Sequence, residues 1–194
     1  MKNKILSIPK YRLPFDNGIT ITNDNIWLKY GNHMLYKNIG EDFKLFYKII
    51  PYVIIKNNDR YLVYDNDGRY CFNNNGLFYI KEGIIYEPIK SVVKTNLRKN
   101  NIKTIALKNY GFIKSIKDKP NDIAVVYTAE TNDNIQLENN DWFDLHDLIN
   151  KCRNFDSFGI HFINHLVCKK YKEWLKCYLV RNLKYYKNYL KCII

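Results

Sequence analysis

A mixed fold, α+β or α/β, is what the sequence predicts, and three observations predict it. Short apolar runs rich in Ile, Val, Tyr and Phe fill residues 51–80 and 105–129. Between them, residues 88–101 place apolar side chains at helical spacing. From Ile160 onward no Pro or Gly interrupts the chain. Strands, a helix, strands and then helices is the element order of such folds. The chain has 194 residues, of which 46% are apolar and 15% aromatic. That suits one domain with an appended element and supplies a core, which argues against wholesale disorder.

Each element has its own justification. Ile5-Leu6-Ser7-Ile8 reads as a short strand stopped by Pro9, and Asp16-Asn17-Gly18 as a turn. Glu41–Lys48 reads as one short helix ahead of Pro51. Residues 51–65 are the clearest hairpin: apolar Tyr52–Ile55, a polar turn at Asn57-Asn58-Asp59, then apolar Tyr61–Tyr64. Asp65-Asn66-Asp67-Gly68 is a further turn, and Tyr70-Cys71-Phe72 and Leu77–Ile80 are short strands around Asn73-Asn74-Asn75-Gly76. In 88–101, Ile89, Val92, Val93 and Leu97 mark a helix face, with Pro88 at a tolerated first-turn position. Ile105–Ile116 and Ile123–Ala129 read as strands, and Asp144 as the cap of a helix that begins near Leu145. Leu175, Leu179, Leu183, Tyr186 and Leu190 share one helix face.

Charge and cysteines bound the function. The formal net charge is +12, from 31 Lys+Arg and 19 Asp+Glu. Lys outnumbers Arg by 25 to 6 beside abundant Asn, Ile and Tyr, which is also the signature of a low-GC genome such as a bacterium or phage. Position is the better evidence: residues 168–194 hold eight basic residues and one acid, a net +7. Such concentration points to an anionic partner for that segment. Five cysteines without a C-x-x-C pair argue against a disulfide framework or zinc knuckle and for a reducing cytoplasm. No apolar run reaches about 18 residues, and the start of the chain lacks a secretory pattern. No G-x-S-x-G, Walker A or G-x-G-x-x-G motif occurs.

The colinear order of these segments resembles a Nudix hydrolase domain, closest to the MutT-like bacterial branch. The carrying residues are Phe43–Val53, Asp59–Tyr64, Tyr70–Phe78, Leu107–Ile113, Trp142–Leu148 and Phe155–Phe158 with the Ile160–Leu166 helix. The resemblance covers about residues 3–167. The resemblance implies an α/β/α sandwich with a mixed sheet, and a helix whose glutamates hold Mg²⁺ beside a diphosphate. That chemistry needs several hard oxygen ligands on one helix face.

Against the family's box, G-x5-E-x7-R-E-U-x-E-E-x-G-U, Gly76 and Glu82 keep the opening spacing. Beyond them the pattern departs. Counting back from Ile102, the paired metal glutamates fall on Arg98 and Lys99 and the preceding one on Thr95. The register needs four extra residues between Glu82 and Lys94, yet a slip changes nothing, because residues 88–102 contain no Asp or Glu. Cations in place of carboxylates repel a divalent metal and attract phosphate. The plainer alternative is a solvated surface helix.

His161 and His165 stand i, i+4 on a helical stretch, a spacing that can bind zinc, but lack the Glu of H-E-x-x-H; a packed surface pair accounts for them. His33 and His146 carry no motif, and helix capping accounts for Asp141, Asp144 and Asp147. From Cys168 the chain mixes Lys with Trp and Tyr, which suits phosphate contact with base stacking. The same pattern suits a partner-docking helix, an anionic membrane surface, or a packed helix with a solvated Lys face.

The expected organisation is a Nudix-like α/β/α sandwich at 1–167 and a basic helical extension at 168–194. The expected function is a catalytically inactive binding or accessory protein for RNA, DNA, a nucleotide or a nucleic-acid-containing assembly. Its candidate anion contacts are Lys94, Arg98, Lys99, Lys169, Lys170, Lys172, Trp174, Lys176, Arg181, Lys184 and Lys187. No catalytic residue, resident metal or cofactor is expected. One rival is an Mg²⁺-dependent pyrophosphohydrolase of nucleoside diphosphates using Glu82 and Glu87 with Asp122 or Glu138. The other is a structural subunit of a protein complex.

Overall fold

A computed structural model describes residues 4–13, 18–21, 35–38, 42, 44–72, 79–80, 93–94, 97–98, 101–115, 120–132, 135 and 139–191, the last thirteen as helical backbone. Its strands are β1 (Lys4–Pro9), β2 (Gly18–Ile21), β3 (Leu35–Asn38), β4 (Phe46–Asn57), β5 (Arg60–Asn66), β6 (Arg69–Cys71), β7 (Tyr79–Ile80), β8 (Ala106–Lys114), β9 (Asp122–Glu130) and β10 (Asn140–Phe143). Two helices follow, α1 (Leu145–Asn150) and α2 (Ser157–Lys191). The helix expected over 88–101 is seen at residues 93–94 and 97–98.

The strands form one mixed sheet in the order β10-β5-β4-β9-β8-β2. β4 and β9 run parallel, in register from Lys48↔Asp122 to Lys56↔Glu130, and the other pairings are antiparallel. β1 also pairs with β3 and β7, and β6 with β5. Local turns close the expected hairpins. Asn57↔Arg60 leaves Asn58-Asp59 as the loop, with Asn58 at φ 53°. Asn66↔Arg69 leaves Asp67-Gly68, both left-handed at 53° and 82°, the twist a two-residue hairpin needs. In β8 the register jumps between Asn109 and Gly111. Tyr110 is the extra residue of that bulge, and Gly111 absorbs it at φ 143°, where a side chain would be strained.

The expectation of a helix over Glu41–Lys48 is overturned: Phe46–Lys48 is strand, paired with Pro9, Ile8 and Ser7. Tyr47 and Ile49 are buried while Phe46 and Lys48 are half-buried, the alternation of a strand. Pro51 inside β4 is tolerated because of where it falls. β4 pairs with β1 over Phe46–Lys48 and with β5 over Lys56–Asn57, and Pro51 lies between those ladders.

Alternate residues of the central strands feed two cores. Ile49, Val53, Ile55, Ile123, Val125 and Tyr127 face a cluster completed by Val93, Leu97 and Ile102. Tyr52, Ile54, Ala124, Val126 and Ile113 face a second cluster with Leu148, Phe158, Phe162, Ile163 and Leu166. Val93, Leu97 and Ile102 therefore cover one face and α1 with α2 the other, which makes the α/β/α sandwich.

Asp144 starts α1 through a capping box: its carboxylate accepts from Asp147 N–H at 2.9 Å, and Asp147 accepts from Asp144 N–H at 3.3 Å. Asp156 caps α2 with its carboxylate alone, accepting from Gly159 N–H at 2.7 Å. The same Asp156 oxygen accepts the buried Tyr52 hydroxyl at 2.7 Å, and that hydroxyl accepts Phe72 N–H at 3.3 Å. Burial first, and the Asp156 charge second, push the Tyr52 hydroxyl well above its usual pKa. α2 begins at Ser157, three residues before the expected start, and runs without a break through position 168. Among its described side chains, which end at Tyr178, the last buried one is Leu166.

Candidate anion-binding surface

The 93–98 segment is anchored by its apolar face. Val93 and Leu97 are buried in the first cluster, while Lys94 and Arg98 are exposed one turn apart. The helix then closes with a Schellman cap. Ile102 N–H donates to Leu97 C=O at 2.9 Å, and Asn101 N–H donates to Arg98 C=O at 3.0 Å. Asn101 sits at φ 56° between them, and Ile102 tucks into the same cluster as Leu97.

Beyond the cap the chain is stitched to the carboxyl end of the parallel pair. Thr131 Oγ1 donates to Lys103 C=O at 2.7 Å, Ile105 N–H to Glu130 C=O at 2.7 Å, and Thr131 N–H to Lys56 C=O at 3.0 Å. A cleft of about 460 Å³ opens there, lined by Arg98, Asn101, Ile102, Lys103 and Thr104. Crevices at the carboxyl ends of parallel strands are common ligand sites. At the ends of the parallel strands Lys56 Nζ lies 3.0 Å from Glu130 Oε1. The hydrogen bond from Lys56, with its charge and that of Lys108, holds the Glu130 carboxyl below its usual pKa. Lys56, Lys103, Lys108, Glu130 and Thr131 were not singled out from the sequence, because strand pairing across 75 residues brings them together. A helix C-terminus is a negative pole, so Arg98 also complements the helix that carries it.

None of the described residues that solvent meets on this helix is a ligand for a divalent cation. Among the described residues of 88–102, the exposed helical side chains are Lys94 and Arg98, and no three His, Cys, Asp or Glu of the described residues group as metal ligands. Gly76, Glu82, Glu87, Lys99 and Glu138 lie outside the described residues. Asp122 begins β9, at the opposite end of that strand from Glu130. A second cleft of about 450 Å³ beside β5 and β10 has the other sign, with Asp65, Asp67 and Asp141 on its walls and Lys151 4.1 Å from the Phe143 ring.

On α2, Lys169, Lys170, Lys172, Trp174 and Lys176 are all exposed, and Arg181, Lys184 and Lys187 occupy positions along its described backbone. His161 and His165 are half-buried where α2 meets the sheet, with His165 edge-on to Tyr110 at 5.7 Å. Burial lowers both imidazole pKa values, and for His165 Lys169 and Lys172 add to the effect. The structure thus gathers Lys94 and Arg98 in one patch but places α2 in the opposite layer of the sandwich, with the sheet between them. No described helix is long and apolar enough to cross a membrane.

Two helical layers around a mixed sheet, with β4 and β9 parallel at its centre, make this a Nudix-like fold. A solved structure supports it: Tm1382, described as a candidate Nudix hydrolase, superposes with a TM-score of 0.66 at 15% identity, covering 84% of this chain and 97% of that one. At that identity the likeness concerns the fold. No family model and no curated protein matches the sequence.

Proposed function

We propose that this chain is a Nudix-like binding protein without hydrolase activity, which engages an anionic partner such as RNA, DNA or a nucleotide. One observation carries it: the helix where the resemblance expects metal glutamates presents Lys94 and Arg98 to solvent, with its apolar face locked into the core. Guanidinium and ammonium groups there repel Mg²⁺ and attract phosphate oxygens. Lys103 on the same cleft adds a third cation. The basic stretch from Lys169 to Lys187 would extend the attraction over α2.

Two measurements on the purified protein test this. Oligonucleotide binding should weaken as salt rises from about 50 to about 200 mM, and Lys94→Glu with Arg98→Glu should flatten that dependence by about 0.7–0.9 in log–log slope per lost phosphate contact. Affinity independent of salt would overturn the electrostatic basis. Incubation with Mg²⁺ or Mn²⁺ and a panel of nucleoside diphosphate compounds should give no turnover. Metal-dependent turnover abolished by Glu82→Gln would establish the pyrophosphohydrolase instead.

A further inference from the structure

Three rings stand on the exposed part of α2 at positions 171, 174 and 178, a spacing that keeps them on one stripe of the helix. Tyr171, Trp174 and Tyr178 are 59%, 57% and 53% exposed. They are stacked: Tyr171–Trp174 centroids lie 6.0 Å apart with planes at 23°, and Trp174–Tyr178 5.4 Å apart at 19°. Lys170, exposed, precedes Trp174 by one turn on that stripe, and position 181, an Arg, follows Tyr178 by nearly one turn. Glu173 is the one acid in a stretch of net charge +7.

We infer that this aromatic ladder receives unpaired bases, so that the anionic partner is a single-stranded nucleic acid. The inference rests on the anionic-partner reading above and narrows it. Every base has a π-face, and rings already held parallel lose little freedom on accepting one. Lysines around the helix meet the phosphates that run beside stacked bases. A duplex or an acidic peptide would satisfy the cations and leave the ladder idle. Trp and Tyr also favour lipid interfaces, and the vesicle arm of the test separates that occupant from a single strand. The two cationic patches lie on opposite faces of the sheet, so a flexible polymer is the kind of ligand that reaches both.

The test uses the full chain, a labelled single strand of about 12 nucleotides within the usual span of such sites, a duplex of the same sequence, and phosphatidylglycerol vesicles. The variant Tyr171→Leu/Trp174→Leu/Tyr178→Leu keeps good helix formers, and circular dichroism checks that helicity is retained. Single-strand affinity should fall about tenfold for each base that loses its stacking partner. Duplex affinity and the salt slope should stay unchanged. Lys94→Glu with Arg98→Glu should do the reverse, reducing the slope for single strand and duplex alike. Salt-dependent single-strand binding that ignores the ladder variant would overturn this inference and leave the anionic reading standing. Wild-type protein that binds neither nucleic acid in a salt-dependent way would sink both. Tighter binding to vesicles than to the single strand, lost in the ladder variant, would reassign the ladder to a lipid surface.

Discussion

Asn101 decides how the cationic helix ends. Its left-handed backbone, φ 56°, turns the chain so that Ile102 reaches back to Leu97 and buries beside it. Asn tolerates this conformation better than most residues, and Gly tolerates it at no steric cost. Asn101→Gly should therefore leave stability unchanged or raise it by up to about 1 kcal/mol, whereas Asn101→Val should cost about 1–2 kcal/mol. Urea unfolding of the three proteins checks the order. A Val variant as stable as the parent would mean that the cap does not hold the helix. The arrangement was half legible in the sequence: Val93 and Leu97 announced the buried face, but nothing marked Asn101 rather than Asn100 as the turning residue.

At the scale of elements, what the sequence revealed was local. The hairpin at 57–60, the turn at 65–68 and the Asp144 cap depend on residues within a few positions of one another, and each formed as expected. Phe46–Lys48 misled because its strand character comes from β1, nearly forty residues earlier, and because Pro51 usually excludes a central strand. The Lys56–Glu130 pair and the Thr131–Lys103 stitch were hidden for the same reason. α2 hides a pH response in its packed half. His161 and His165 have pKa values depressed by burial, so the unfolded chain binds more protons as pH falls below the ordinary histidine value of about 6.5. Their contribution is present above that value and is lost as pH falls toward the folded-state pKa. Urea midpoints should thus decline between about pH 7 and about pH 5. The double variant His161→Gln/His165→Gln should flatten that decline. The lowered carboxyls of Asp144 and Glu130 also lose stability with acid, but in a lower window, around and below the ordinary carboxylate range. A decline of the same size in the double variant would show that α2 is insensitive to these imidazoles.

For the molecule as a whole, the question is how a domain of modest charge carries a strongly basic helix. α2 spans about 52 Å at the usual rise, and among its described side chains, which run to Tyr178, the last buried one is Leu166. Phe158, Phe162, Ile163 and Leu166 close this face of the sandwich, and the described side chains from Val167 to Tyr178 add no buried residue to it. Isolated helical segments are marginal in water, and the stacked rings at 171, 174 and 178 are one local source of support for this one. Concentrating net charge of +7 within residues 168–194, away from a core built by the other layers, separates the stability of the domain from its attraction to anions. Ending the chain after Val167 should then shift unfolding free energy by no more than about 0.5 kcal/mol, as for other exposed substitutions. The same truncation should remove most salt-sensitive oligonucleotide binding while leaving the weaker contribution of Lys94 and Arg98. Thermal unfolding beside a salt titration separates the two effects. A truncated chain that fails to fold would make the distal half of α2 a structural part of the sandwich, and one that binds as tightly as the parent would confine anion recognition to the cleft beside Arg98.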